Sequence, residues 1–288
     1  MSARLMRGVR IAIACAAVAG ALAGDAGAQS RAAQSSADTQ AISALVHRFF
    51  ADSVLPDRKS VLTARFDKLL DTTPIPGAIL PHGTRLAIRE ISRDSGHAVF
   101  ETETGPEKRF ADWYTYLVRD SSRWKIDNLR VFELPPVHYL ILDSLEAKKN
   151  LPDSVAFLRD RMRLSASSNA VLKAHFAAHK AAILKLAASF ESHAGVTGLD
   201  ESGSTVPENA LPERERNALT AQMHALDIGA ALRKHDAPRC VRYKIGGVDE
   251  TTVGYMHFGA SCAKPVVGSE DVMYMERVAP DWYVYRTG

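Results

Sequence analysis

"DWYTYLVRDSSRWKIDNLRVFEL", residues 112–134, is two runs rich in aromatic and β-branched residues on either side of the polar turn "RDSS". Such runs around a short polar turn read as an antiparallel hairpin. A period of two along the first run sends Asp112, Tyr114 and Tyr116 to one face and Trp113, Thr115 and Leu117 to the other. Upstream, "RLAIREIS" (85–92) and "HAVFETET" (97–104), joined by "RDSG", extend the hairpin to a four-stranded meander. Two helical phases precede it. Ile42, Leu45, Val46, Phe49 and Phe50 recur at helical spacing, with Ser36 or Asp38 as a cap, and "SVLTARFDKLLD" (60–71) sets Leu62, Phe66, Leu69 and Leu70 on one face. A Pro/Gly-rich loop, residues 73–83, separates helices from strands. Helices followed by an antiparallel meander predict an α+β domain whose helices cover one face of a curved sheet.

The prolines of "LPP" (134–136) stop the last strand and mark a domain boundary. Residues 135–167 then read as a connecting helical segment. "SNAVLKAHFAAHKAAILKLAASF" (168–190) is the strongest helix of the chain: Leu172, Phe176, Ile183, Leu186 and Phe190 form a stripe, and Ser168 or Asn169 caps it. The Gly/Ser/Pro-rich residues 191–212 predict a mobile surface loop. A helix carrying Leu219, Met223 and Leu226 follows, then strands "CVRYKIG", "TVGYMHF", "DVMYMERV" and "WYVYRT". The fold expected is therefore two α+β domains, 38–134 and 168–288, each with helices on an antiparallel sheet. "DWYVY" at 281–285 repeats "DWYTY" at 112–116 with one change. The first string opens its hairpin and the second closes one, so the literal repeat is misleading; what recurs is a terminal hairpin with a Trp just after its turn, Trp124 in the first and Trp282 in the second, a packing device rather than a duplicated site.

The helices "AISALVHRFFADS" (41–53) and "LTARFDKLL" (62–70), with the hairpin "RWKIDNLRVFEL" (123–134), resemble the cone-shaped α+β domain of the nuclear transport factor 2-like superfamily, which includes polyketide cyclases and ketosteroid isomerases. The resemblance covers residues 38–134 and implies a cone-shaped fold. Residues 168–288 resemble a pattern of uncharacterised exported bacterial proteins, two helices and a sheet ending in W-Y-x-Y, which implies no activity.

At the N-terminus, Arg4, Arg7 and Arg10 precede an apolar run from Ile11 to Gly24, followed by Ala26-Gly27-Ala28. That order is a secretory signal peptide over residues 1–28, cleaved before Gln29. The run is short of the roughly 18 residues a membrane span needs, and too few residues precede Cys15 for a lipoprotein signal. A polar, disordered leader, residues 29–37, is expected next. Cleavage takes three Arg and one Asp from totals of 36 basic and 33 acidic side chains, leaving 33 against 32. That near-neutral balance argues against nucleic acid or an anionic membrane surface as partner. The chain is expected in the periplasm or secreted, with no membrane span after cleavage and either a small molecule or an exported protein as partner. In that oxidising setting Cys240 and Cys262, flanking a hairpin, predict a disulfide, with two buried thiols as the alternative that spacing leaves open.

Chemistry-bearing patterns are few. If the face of Asp112, Tyr114 and Tyr116 lines a pocket under the helices, it offers a carboxyl and phenols for acid–base work; solvated strand residues are the plainer reading. His175 and His179 in "HFAAH" stand one helical turn apart, the spacing at which two imidazoles share a metal ion. Phe176 occupies the position where a zincin has Glu, no third ligand is evident in sequence, and His179 continues the apolar phase as a half-buried packing residue. No nucleophile elbow, phosphate-cradling glycine loop or C-x-x-C is present, and no cofactor is expected. Ser165, Ser167 and Ser168 read as cap and linker residues. These signs favour a non-enzymatic ligand-binding or interaction module, with a small-molecule isomerase, cyclase or hydrolase built on Asp112 and its tyrosines as the alternative.

Overall fold

In the computed structural model, residues 36–104, 111–234, 237–248, 250–259, 262–268 and 271–288 are described. The signal-peptide segment, and all of the expected leader except Ser36 and Ala37, fall outside these residues; Ser36 and Ala37 are already helical. Helix α1 occupies residues 36–51 and buries Ile42, Val46, Phe49 and Phe50, the stripe its spacing predicts.

The second helical phase is broken where a single helix was expected. α2 (Arg58–Val61) ends before Leu62, whose backbone forms a parallel bridge with Ile126, and α3 (Ala64–Leu69) begins after Thr63. Thr63 accepts a hydrogen bond from the amide of Phe66 at 3.3 Å and donates one to Asp127 at 2.9 Å. A cap and a cross-sheet anchor in one side chain outweigh the continuous helical pattern. α4 (Pro76–Ile79) is a single turn.

Strands β1 (Leu86–Arg93), β2 (His97–Thr104), β3 (Ala111–Asp120) and β4 (Arg123–Phe132) form an antiparallel sheet in that order. The β3–β4 turn puts Ser121 at φ 58°. Helices α5 (Pro136–Glu146) and α6 (Asp153–Ser165) follow the double proline, then α7 (Asn169–Glu191). α7 buries Leu172, Phe176, Ile183, Leu186 and Phe190, and Ser168 is its cap, accepting from the Val171 amide at 3.4 Å. The segment 191–212, expected as a mobile surface loop, instead carries β5 (Gly198–Asp200) and β6 (Thr205–Val206) and buries Val196, Leu199 and Leu211. Its polar composition conceals three apolar anchors spaced too far apart to show a period. After α8 (Glu213–His224) come β7 (Ala230–Lys234), β8 (Ala237–Val248), β9 (Thr251–Phe258), β10 (Val272–Ala279) and β11 (Trp282–Thr287). The second sheet has seven antiparallel strands in the order β10-β11-β9-β8-β7-β5-β6. Cys240 and Cys262 form a disulfide across the β9 end of this sheet, their Cα atoms 5.5 Å apart. No described helix is long and apolar enough to cross a membrane.

The first sheet is covered on both faces. Ala98, Phe100, Leu117 and Ile126 pack under α1–α3. Val99, Tyr114, Tyr116 and Phe132 belong to the same core as Leu172, Phe176, Met273, Tyr274 and Trp282 of the second half. The Tyr114 and Tyr274 rings stack with centroids 5.3 Å apart, and the Tyr116 hydroxyl donates to the Met273 carbonyl. Gly268, at φ 89°, lies where a Cβ would run into the Tyr116 ring, so the β9–β10 loop closes on the first sheet only with glycine there. The prolines at 135–136 thus separate two sheets but not two cores.

Candidate functional site

The Asp112, Tyr114 and Tyr116 face does lie on one side of β3, as the alternation requires, but it points away from α1–α3 and into the second half. The expected pocket under the helices is replaced there by Trp113, Leu117 and Phe100 packing on α1. Period two distinguishes the faces of a strand without saying which one a later segment will cover.

Arg286 on β11 meets that face. Its Nη2 lies 3.0 Å from Asp112 Oδ2, and both side chains are fully buried (0% exposed). Arg286 also donates to Asn169 Oδ1 at 2.7 Å and to the Ser167 carbonyl at 2.6 Å, and its guanidinium stands 4.0 Å over the Phe132 ring. Asn169, at the first turn of α7, donates to Glu101 and, at 2.8 Å, to the Tyr114 hydroxyl, which lies 3.5 Å from Asp112. Glu101 is held by Arg89, which reaches Glu276 at 2.8 Å; Lys173 meets Glu276 at 2.9 Å and the Tyr274 hydroxyl donates to it. Carboxyls of Glu101, Glu103, Asp112 and Glu276 thus face the cations of Arg89, Lys173 and Arg286. Four acids against three bases leave room for one retained proton. Burial pushes Asp112 up to about 7 against the pull of Arg286, and burial followed by the nearby Glu101 raises Glu103. Burial alone would lower Arg286, but Asp112, Tyr114 and Glu101 hold it above its ordinary value. Arg286 was missed in sequence, although a signal existed. In "WYVYRT" it shares the phase of Trp282 and Val284, both in the core, and a charge on a buried phase needs a buried partner.

Glu101, Glu103 and Asp112 each offer a carboxylate oxygen within 4.8 Å of the other two. Arg286 and Arg89 already stand against these carboxylates, so the cationic position a metal would take is filled by guanidinium. Tyr274 stacks over Tyr114, and Asp112 is fully buried beneath the second half. The cluster is a clamp between the two halves.

An open concavity lies elsewhere. Between α6 and strands β7 and β8 is a cleft of about 320 Å³, lined by residues that include His138, Arg161, Ser165, Glu201, Lys244 and Gly246. Arg161 pairs with Glu201 at its edge. Ser165 and His138 are neighbours, Oγ to Nε2 at 3.4 Å, but Nε2 also faces the Met162 carbonyl at 3.1 Å and Ser165 donates to that carbonyl at 2.9 Å. A ring nitrogen facing a carbonyl carries the proton, so it cannot take one from serine. His138 is therefore not placed to act as a base for Ser165.

The two α7 histidines come together as their spacing predicts, with ring centroids 4.6 Å apart. The expectation that His179 is half-buried is corrected: His179 is exposed and His175 is the partly covered one. Asp227, in the turn after α8, comes within 4.0 Å of His175, and His179 lies one helical turn further on. Tyr255 sits 2.8 Å from His175 Nδ1. Burial, then His179, lowers His175 to about 4.

No family model, curated protein or solved structure matches the chain.

Proposed function

We propose that this chain is an exported, non-enzymatic binding protein that takes a small acidic molecule in the cleft between α6 and β8. The observation that carries this reading is the cleft itself: about 320 Å³, within the size range of small-molecule sites, with the Arg161 guanidinium and the Glu201 carboxylate among its lining groups. The planar Arg161 guanidinium, which Glu201 engages in the cleft, suits a carboxylate or phosphate, and an entering acid would take the place of Glu201 on it. The first sheet with α1–α3 is read as a nuclear transport factor 2-like cone whose open face holds the protein's own second half instead of a ligand. The enzyme alternative on Asp112 draws no support from a carboxyl that is 0% exposed and paired with Arg286.

Thermal denaturation of the mature chain with succinate, citrate and inorganic phosphate tests the cleft. Stabilisation by one of them that is lost in Arg161→Gln is the expected result. No stabilisation by any, or stabilisation that survives Arg161→Gln, rejects the cleft as the site. Export is tested by the N-terminal residue of the protein recovered outside the cytoplasm, expected at Gln29.

A further inference from the structure

We propose that His175, His179 and Asp227 form a surface binding site for a divalent transition metal of the zinc class. The hydrogen bonds around His175 decide the state of its ring. The Tyr255 hydroxyl has one proton, which it donates to the Leu172 carbonyl at 3.1 Å. His175 Nδ1, 2.8 Å from the same hydroxyl oxygen, must then be the donor in that contact. The proton sits on Nδ1 and the lone pair is left on Nε2. Nε2 in turn faces Asp227 Oδ2 at 4.0 Å. A lone pair and a carboxylate oxygen 4.0 Å apart are two acceptors that one cation can share.

The geometry suits a metal. Ligand atoms around tetrahedral zinc, each about 2.0–2.1 Å from the ion, stand about 3.3 Å from one another. Closing 4.0 Å to that value needs only a small side-chain rotation. His179, one turn along α7 with its ring 4.6 Å from that of His175, is exposed, and a change of side-chain rotamer is needed to bring its imidazole to the same point. Two imidazoles and one carboxylate select zinc-class ions over calcium or magnesium, which prefer oxygen ligands. Tyr255 fixes the ring from behind, the role that outer hydrogen bonds play for ligating histidines. Asp227 adopts φ 53°, a left-handed turn residue that presents its carboxylate toward α7. Three protein ligands at the surface leave a fourth position to water.

The experiment titrates ZnCl₂ into the full mature chain, stripped of metal with a chelator, and reads heat. The expected result is one ion per chain, with affinity falling at least tenfold in His179→Ala and in Asp227→Asn. Both substitutions spare the fold, since His179 is exposed and Asn tolerates the left-handed conformation; circular dichroism verifies this. Tyr255→Phe keeps all three ligands and weakens zinc by about 10- to 100-fold through loss of ring orientation. Absence of uptake by the wild-type chain overturns the proposal. So does uptake of unchanged affinity in His179→Ala or Asp227→Asn, which would place the ion elsewhere, for instance on the carboxylates around Asp112.

Discussion

Arg286 and Asp112 show how a fully buried ion pair sets the electrostatics of its surroundings. Removing water from two charges is costly, and the cost is offset only where each finds further partners. Arg286 does, in Asn169, Ser167 and the Phe132 ring; Asp112 Oδ1 has no partner among the described residues. Replacing Arg286 with Met therefore leaves the acidic cluster without its central cation and should cost about 3–5 kcal/mol, read from urea denaturation. Adding Asp112→Asn to that variant should recover part of the loss; strict additivity would mean the two groups are not coupled. The pH dependence has a definite sign. Asp112 rises from 3.8 unfolded to about 7 folded, so between those values the folded chain keeps a proton that the unfolded chain releases. Its stabilising contribution is complete below pH 4 and is lost as pH rises through 7. His138 and His175, held neutral by burial, act in the opposite sense below their ordinary value of 6.5. The difference in stability between wild type and Asp112→Asn isolates the carboxyl: it should fall between pH 4 and 7 and then level off. A difference flat across that range would mean that Asp112 ionises as an ordinary carboxylate.

Among the elements, the β8–β9 pair and its disulfide invite the most direct test. Cys240 pairs in register with Phe258, four residues before Cys262. The bridge closes a loop with a sequence separation of 22, for which the chain-entropy account gives about 3 kcal/mol. Replacing both cysteines with Ser, or adding reductant to the wild type, should lower the unfolding free energy by that amount; two thiols alkylated in the untreated protein would show that no bridge forms. This element was legible because the signal-peptide pattern at residues 1–28 led to the expectation of an oxidising compartment and the two cysteines flank a hairpin. The α7 stripe was legible for a similar reason, since five apolar residues at helical period leave little else to infer. Other elements were not. Leu62 fits a helical phase yet serves as a bridge to Ile126, a decision made by β4, 64 residues away. Asp227 carries no local pattern at all and joins His175 only because the turn after α8 folds back on α7. Sequence periods report how a segment divides its faces, and the partner that covers each face is a long-range fact.

At the scale of the molecule, the first sheet is a middle layer, with α1–α3 on one side and α7, β10 and β11 on the other. Val99, Tyr114, Tyr116, Phe132 and Leu134 share a core with the second half, and the Asp112–Arg286 clamp closes over the same surface. Burial of this kind contributes roughly 25 cal/mol per Å² of apolar area, and five such side chains, two of them tyrosines, make the contact too large to open without exposing both sheets. The two halves should therefore unfold together, despite the proline boundary at 135–136. Single-tryptophan variants separate the signals: Trp113 and Trp124 report the first sheet and Trp282 the second. Urea transitions of a Trp124-only and a Trp282-only chain should coincide with each other and with far-ultraviolet circular dichroism. Two resolved transitions would mean that the shared core is a docking surface between independent domains. A chain ending at residue 134 sharpens the choice. If the core is common, that fragment leaves Tyr114, Tyr116 and Asp112 uncovered and should bind a hydrophobic dye or aggregate; a monomeric fragment with a cooperative transition would show that the first sheet needs only its own helices.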